Sequence, residues 1–336
     1  MTLHYYILGG VILSGIIALI PVFYVLAPIY PWTYSNARVK TMHKKMIKDQ
    51  DIEGYILRPY EDIIYDLEEK FIPNFSKYLS ANFTYAAVDN ALRQHYIQTV
   101  KKLIRITPNQ QNDFLQTYLT RFDIRTIKNV VRSISNKNNQ DLFLTNTTLF
   151  SEGFKNKDTY TLQNIEKELQ GTPYQKTLEK HKSSLKEQEY TDFEMDLNRV
   201  YLDKMRRAAS SKYAKRFVKK NIDKLNLQTW VKNGENYVEG GYIQISDYQK
   251  DSYTALKEAY TKKGITLPSN KEDAETHMRK QLLTYAKKLQ SQDPHSEAST
   301  ISYLIKKAYA VQQLNILLKL KYHNTSEQKI REALNI

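Results

Sequence analysis

The chain has 336 residues, of which 41% are hydrophobic and 26% charged, a balance that excludes a wholly disordered polypeptide. Ten glycines and nine prolines are few for this length, which favours helices over a protein of many strands and turns. The net charge of +14 predicts anionic surroundings, and the absence of cysteine excludes disulfides, thiolate catalysis and cysteine-ligated metals.

The first predicted element is a membrane-spanning helix. Met1 to Ala37 contains no Asp, Glu, Lys or Arg, and Tyr5 to Tyr30 is almost continuously apolar. A helix of this length would run roughly 39 Å, which exceeds a hydrocarbon core of about 30 Å. Basic residues begin only at Arg38, so the positive-inside rule predicts a single-pass protein with its N-terminus outside and a large cytoplasmic domain. A cleaved signal peptide and a buried core helix are the alternatives.

The remaining residues are predicted to form helices with short connectors. Apolar side chains recur at steps of three and four, and the clearest stripe consists of Leu304, Ala308, Val311, Leu314 and Leu318. Breaks are predicted at Pro-containing segments such as Thr107-Pro108-Asn109 and Gly171-Thr172-Pro173. The fold class is therefore predicted to be all-α.

Three stretches resemble one another and indicate an internal repeat. They cover residues 122–132, 222–232 and 310–319, and each ends in Arg or Lys after an apolar group. The basic residues that end the three stretches lie about 100 and then about 87 positions apart, which predicts three pseudo-symmetric helical units. The polar residues that mark the repeat are Asp123, Arg132, Asp223, Asn226, Lys232 and Lys319.

These patterns divide the chain into an N-terminal anchor and three helical units. The anchor is predicted to occupy residues 1–33. The first unit follows at 34–140, the second at 141–245 and the third at 246–336.

No pattern in the sequence indicates catalysis. The seven histidines are scattered, and none belongs to a His-Glu-x-x-His zinc signature. Gly240-Gly241 is not followed by Lys-Ser or Lys-Thr, so the chain has no phosphate-binding P-loop there. We therefore expect no enzyme activity, no cofactor, no metal site and no small-molecule substrate.

One basic cluster invites a functional interpretation. Its members share a predicted helical face and are Lys212, Lys215, Arg216, Lys219 and Lys220. The face either is simply solvated or contacts an acidic partner or lipid headgroups. Nucleic acid is a third interpretation, but no recognised nucleic-acid motif accompanies the charge.

Several motifs follow one another in an order that resembles a known family. They are Tyr34–Met42, Leu92–Tyr96, Phe122–Arg132, Glu194–Leu197 with Tyr201, Ile222–Leu227, Gly240-Gly241, Ser302–Lys321 and Ile330–Leu334. Together they resemble the C subunit of archaeal-type rotary ATP synthases, which is related to the d subunit of vacuolar-type ATPases. The third unit departs from the family pattern, because Tyr309, Ala310, Gln312, Gln313 and Asn315 replace most of its usual charges.

The resemblance implies a fold and a function. Three helical units would form a funnel whose narrow end sits on the rotating proteolipid ring and whose open end receives the central shaft. Such a protein passes torque and performs no bond chemistry, so the expected partners are the ring and shaft proteins, and no nucleic acid. Typical members lack a spanning helix, and we expect residues 6–29 to enter the ring lumen or pack beside it. The alternatives are a membrane-anchored scaffold unrelated to rotary ATPases and a membrane-tethered nucleic-acid binder.

Overall fold

The computed structural model describes residues 27, 29–73, 75, 84–136, 161–232, 234–250, 252–292, 296–334 and 336. Within these ranges all regular secondary structure is helical, which confirms the predicted all-α class for this part of the chain. The apolar segment of the predicted anchor falls outside the described residues as far as Leu26. Among the helices that are described, none combines the length and the apolar character needed to cross a membrane.

The helices are numbered in chain order. The first five are α1 (Tyr30–Lys44), α2 (Asp49–Ile56), α3 (Tyr60–Lys70), α4 (Tyr85–Ile106) and α5 (Asn112–Asn136). The next five are α6 (Leu162–Leu169), α7 (Gln175–Lys180), α8 (Lys182–Lys186), α9 (Thr191–Ala208) and α10 (Lys212–Val231). The last five are α11 (Ile245–Tyr248), α12 (Tyr253–Lys262), α13 (Ala274–Gln292), α14 (Ala298–Tyr322) and α15 (Glu327–Leu334).

Hydroxyl side chains begin several of these helices. The Thr84 hydroxyl accepts a hydrogen bond from the Ala87 amide at the start of α4, and Ser211 caps α10 in the same way through the Ala214 amide at 3.0 Å. Thr161 and Ser252 do the same for α6 and α12. Each cap satisfies an amide that has no partner inside its helix, so these helix starts are encoded locally in the sequence.

The three stretches of the predicted repeat lie on α5, α10 and α14, and these helices are divided between two kinds of core. We call them the motif helices. Their amino-terminal halves pack together in one central core, through residues such as Tyr118 on α5, Phe217 on α10 and Leu304 on α14. Their carboxyl-terminal halves each pack into a separate peripheral core.

Each peripheral core joins the end of a motif helix to other elements. The end of α5 packs with α6 to α9, and the end of α10 packs with the segment from Ile243 to Met278. The end of α14 packs with α2 to α4 and with α15, so residues from both ends of the described chain share one core. The second of these cores contains residues on both sides of position 245. The unit boundaries at 140 and 245 stay a prediction.

Helix α1 begins at Tyr30 and runs through position 33, where the predicted anchor ends. Pro31 at its first turn fits this start, because the amide that proline lacks has no helical partner there. Trp32 is buried, while Tyr30 and Tyr34 are exposed. The Tyr34–Met42 motif is thus part of a helix that packs on the central core through Val39.

Candidate functional site at a basic central cavity

A cavity opens between the three motif helices. It consists of two adjoining parts with volumes of about 480 Å³ and about 340 Å³. Both parts are lined by Arg121 and Arg125 from α5 and by Lys224 from α10. Helix α14 adds Tyr309 and Gln312 to the larger part. We call the two parts together the central cavity.

The lining of the central cavity is strongly positive. It contains seven basic side chains, and none of its lining residues is Asp or Glu. The basic residues are Arg93, Arg121, Arg125, Lys128, Lys224, Arg279 and Lys319. A cavity lined by one sign of charge concentrates counter-ions of the opposite sign, so this space attracts anionic groups.

Three of these cations have carboxylate partners just outside the cavity. Arg93 pairs with Asp89 four residues before it on α4. Arg279 pairs with Glu275 at 3.3 Å on α13. Lys128 lies 3.9 Å from the carboxylate of Glu194.

Among the described residues the remaining four have no such partner, and one of them, Lys319 on α14, has its ammonium 5.9 Å from the ring centre of Tyr85. Among the residues that the structure describes, Arg121, Arg125 and Lys224 form no ion pair within 4.0 Å. The guanidinium of Arg121 donates a hydrogen bond to the Tyr118 hydroxyl at 2.5 Å. Both arginines are exposed to solvent although they lie between packed helices, because they project into the open cavity. We call these three residues the unpaired cations.

Burial and neighbouring positive charges lower the pKa values of several basic groups in the cavity. Burial lowers the pKa of Lys224 to about 8, and the positive charges of Arg279 and Arg121 lower it further. Burial also lowers the pKa of Lys128 to about 8, because the nearby Glu194 compensates only in part. The packed helices around the cavity partly desolvate Arg125 and so lower its pKa, and the positive charge of Arg93 lowers it further. Each of these three cations is therefore held in surroundings that favour its neutral form, a cost that a bound anion would relieve.

The comparison with known families bears on this arrangement. The family model described as ATP synthase (C/AC39) subunit matches residues 35–333, a range that includes all three motif helices. The chain belongs to this family. Curated relatives include the A-type ATP synthase C subunit of Thermococcus onnurineus, 25% identical, and that of Pyrococcus horikoshii, 24% identical, each aligned over 90% of both chains. The corresponding protein of Methanocaldococcus jannaschii is 22% identical over 90% of this chain and 86% of its own length.

Two marker residues of the predicted repeat in this C/AC39 chain hold a loop. Asp223 is fully buried, and its Oδ1 accepts hydrogen bonds from the amides of Tyr242 at 3.0 Å and Ile243 at 3.2 Å. Burial raises the pKa of Asp223 to about 6, although these hydrogen bonds act in the opposite direction. Asn226, also fully buried, forms two hydrogen bonds of 2.8 Å with the amide and carbonyl of Val238. These residues therefore fasten the connection between α10 and α11 against α10.

The other marker residues are spread over several places. Arg132 pairs with Glu194 on α9 through bonds of 2.5 and 2.6 Å, and Asp123 is buried on α5. Lys232 is exposed at the end of α10. Lys319 alone of the six lines the central cavity, where its ammonium lies 5.9 Å from the ring centre of Tyr85.

The basic cluster on α10 lies outside the central cavity. Lys212, Lys215, Arg216 and Lys219 are exposed. Lys220 is partly buried, with its ammonium 5.4 Å from the ring centre of Tyr285. We call the four exposed residues the outer basic face. Whether the face binds a partner stays a prediction.

The sequence patterns did not identify the unpaired cations as a candidate site. A local signal for two of them exists, because Arg121, Arg125 and Lys128 recur at steps of four and three and so share one face of α5. Lys224 lies inside the second repeat stretch, but no pattern in α10 alone indicates that it faces α5. Among the described residues, no group of three or more His, Asp or Glu side chains is arranged to hold a metal ion.

Proposed function

We propose that this chain is a non-catalytic coupling subunit of a rotary ATPase. It would link the rotating central shaft to the membrane proteolipid ring, so that torque and ion transport are coupled. The family match over residues 35–333 carries the proposal, together with relatives named as the C subunit of A-type ATP synthases. In this role the three units at 34–140, 141–245 and 246–336 would surround the docking site.

The central cavity is the proposed docking site for the shaft. It lies between three long helices whose remaining faces are packed into four hydrophobic cores. Close-packed interiors resist deformation, so a force applied inside the cavity would reach the surface with little loss. The cavity is broad and open, which suits the docking of a protein better than the binding of a small substrate.

Copurification tests this assignment. A tagged full-length chain extracted in mild detergent is expected to bring down the shaft and ring proteins of the same organism. Recovery of other membrane proteins without either ATPase component would support an unrelated membrane scaffold instead. Steeply salt-dependent binding to DNA or RNA would support a nucleic-acid binder.

The N-terminal anchor is a separate part of the proposal. Its support is the uncharged stretch from Met1 to Ala37, which we propose crosses the membrane once with the N-terminus outside. Residues 6–29 would enter the ring lumen or pack beside the ring. The chain has no cysteine, so cysteines introduced at Ser14 and Val25 would be unique crosslinking sites.

These crosslinks have three informative outcomes. Products with ring proteins would support contact between the anchor and the ring. Exclusive labelling by lipid-phase reagents would contradict the lumen position. A mature chain that lacks the segment altogether would identify a signal peptide.

The outer basic face is proposed to contact lipid headgroups or an acidic partner. Its four exposed cations lie on one side of α10, as such a contact requires. For a chain that begins at residue 30 and so lacks the proposed anchor, flotation with vesicles that contain anionic lipid should therefore weaken in the variant K212Q/K215Q/K219Q. Equal flotation of this variant and the wild type would leave the face as a solvated surface.

A further inference from the structure

The central cavity holds positive charge that the described part of the chain does not neutralise. Seven basic residues line it without an acidic one, and the unpaired cations Arg121, Arg125 and Lys224 form no ion pair within 4.0 Å. Like charges that share a confined space repel one another. In the described part of the chain, the Tyr118 hydroxyl binds Arg121, while Asp89 and Glu275 offset the repulsion on Arg125 and Lys224 only in part. The arrangement favours an anionic occupant.

We infer that the end of the shaft presents carboxylate groups to Arg121, Arg125 and Lys224. This inference rests on the proposed function, because it assigns a chemistry to the partner that enters the same cavity. Two guanidinium groups on successive turns of α5 provide planar donors that fit carboxylates in bidentate geometry. Lys224 on α10 adds a point charge from the facing helix.

An apolar shaft end would fit this cavity poorly. It would displace the water around the three cations without replacing their lost solvation, and buried charges without partners are strongly destabilising. Acidic side chains on a folded shaft end would instead supply partners for the three cations.

The charges are distributed unevenly around the cavity. The unpaired cations belong to α5 and α10, whereas α14 contributes the neutral polar side chains Tyr309, Gln312 and Asn315. Lys319, the one cation of α14 in the lining, lies over the Tyr85 ring. An acidic side of the shaft would accordingly face α5 and α10, which would fix the angle at which the shaft is seated.

Two matched triple variants of the full-length chain test the inference. The cavity variant is R121Q/R125Q/K224Q, and the control K186Q/K262Q/K263Q removes the same number of charges from exposed positions outside both the cavity and the outer basic face. Affinity for the purified shaft proteins is measured for the wild type and both variants from about 0.05 to about 0.5 M NaCl, a range over which screening increases strongly. Thermal unfolding of each free chain checks that it is folded.

The cavity variant is expected to bind the shaft about 10- to 100-fold more weakly than the wild type at low salt, because three ion pairs are lost. Its affinity should also depend less on salt, while the control keeps the wild-type affinity. Equal binding by the cavity variant, or equal weakening in both variants, would overturn the inference while the docking role stands. Failure of the wild-type chain to bind the shaft at all would instead contradict the proposed function.

Discussion

Gly241 is predicted to be intolerant of even one added methyl group. A Cβ atom built there would lie 3.0 Å from Cγ of Asp223 and 3.3 Å from Cγ2 of Ile222, with Oδ1 of Asp223 closer still. Asp223 cannot swing away freely, because it is fully buried and bound to the amides of Tyr242 and Ile243. Gly241→Ala therefore forces either the loop or the carboxylate out of place.

The expected cost follows from these contacts. Overpacking a dense site costs about 1–3 kcal/mol, and each hydrogen bond to a buried carboxylate is worth about 1.5–3 kcal/mol. Since the loop relieves part of the clash by moving, we expect a total loss of about 3–5 kcal/mol in the free energy of unfolding. Gly54→Ala is the matched control, because a Cβ at that exposed position in α2 has nothing within 4 Å.

Urea unfolding followed by circular dichroism in mild detergent measures both substitutions. Gly54→Ala should raise the free energy of unfolding by about 0.5–1 kcal/mol, the usual gain when alanine replaces glycine inside a helix. Gly241→Ala should shift the unfolding midpoint down by about 1 M urea or more. Equal midpoints for the two variants would refute the close approach of the loop to Asp223.

Three further substitutions test the buried polar groups. The folded chain keeps the Asp223 proton up to about pH 6, whereas the unfolded carboxyl releases it near 3.8. The free energy of unfolding of the wild type should therefore fall by about 3 kcal/mol as the pH rises through this interval. D223N should lack that fall in parallel urea titrations. Asn226→Ala leaves the amide and carbonyl of Val238 without their partner, so we expect a loss of about 2–4 kcal/mol and faster hydrogen exchange of the Val238 amide; unchanged exchange would contradict this. Burial lowers the pKa of His95 to about 3, so the unfolded histidine takes up a proton at a higher pH than the folded one. Stability therefore falls as the pH drops below 6.5. In the same titrations, H95Q should lose less stability than the wild type between pH 6 and 4.

The helical class could be predicted from the sequence because its signals are local. The apolar stripe in α14 has helical spacing, and hydroxyl residues such as Ser211 supply the caps at helix starts. The repeat stretches also lie on three long helices, α5, α10 and α14, that pack together. Periodicity was sufficient for the helices themselves, because each helix depends on residues that are near one another in the chain.

Burial at the chain ends was harder to predict. Trp32 follows an apolar segment and resembles an interfacial aromatic residue, yet it is buried in the described structure. The peripheral core at the end of α14 includes residues from α2, far away in the sequence. A division of the chain into consecutive segments cannot represent such a core, because its members are brought together only by tertiary packing.

The candidate site required the tertiary structure for a related reason. The outer basic face attracted attention in the sequence because its charges crowd together on α10, whereas Arg121, Arg125 and Lys224 are divided between two helices. A charge acquires a role from the groups around it, and whether a described acidic side chain lies within ion-pair distance is visible only after the helices are packed.

The uneven charge of the central cavity has a mechanical consequence for the proposed coupling role. A shaft that entered a symmetric, uniformly apolar cavity could turn within it, because equivalent seatings would differ little in free energy. The unpaired cations lie on α5 and α10, whereas α14 contributes one cation, Lys319, beside neutral side chains, so the three orientations in which an acidic shaft end could bind differ in free energy. Rotation of the shaft would then separate paired charges, and that electrostatic resistance would carry torque to the packed helices without any covalent link.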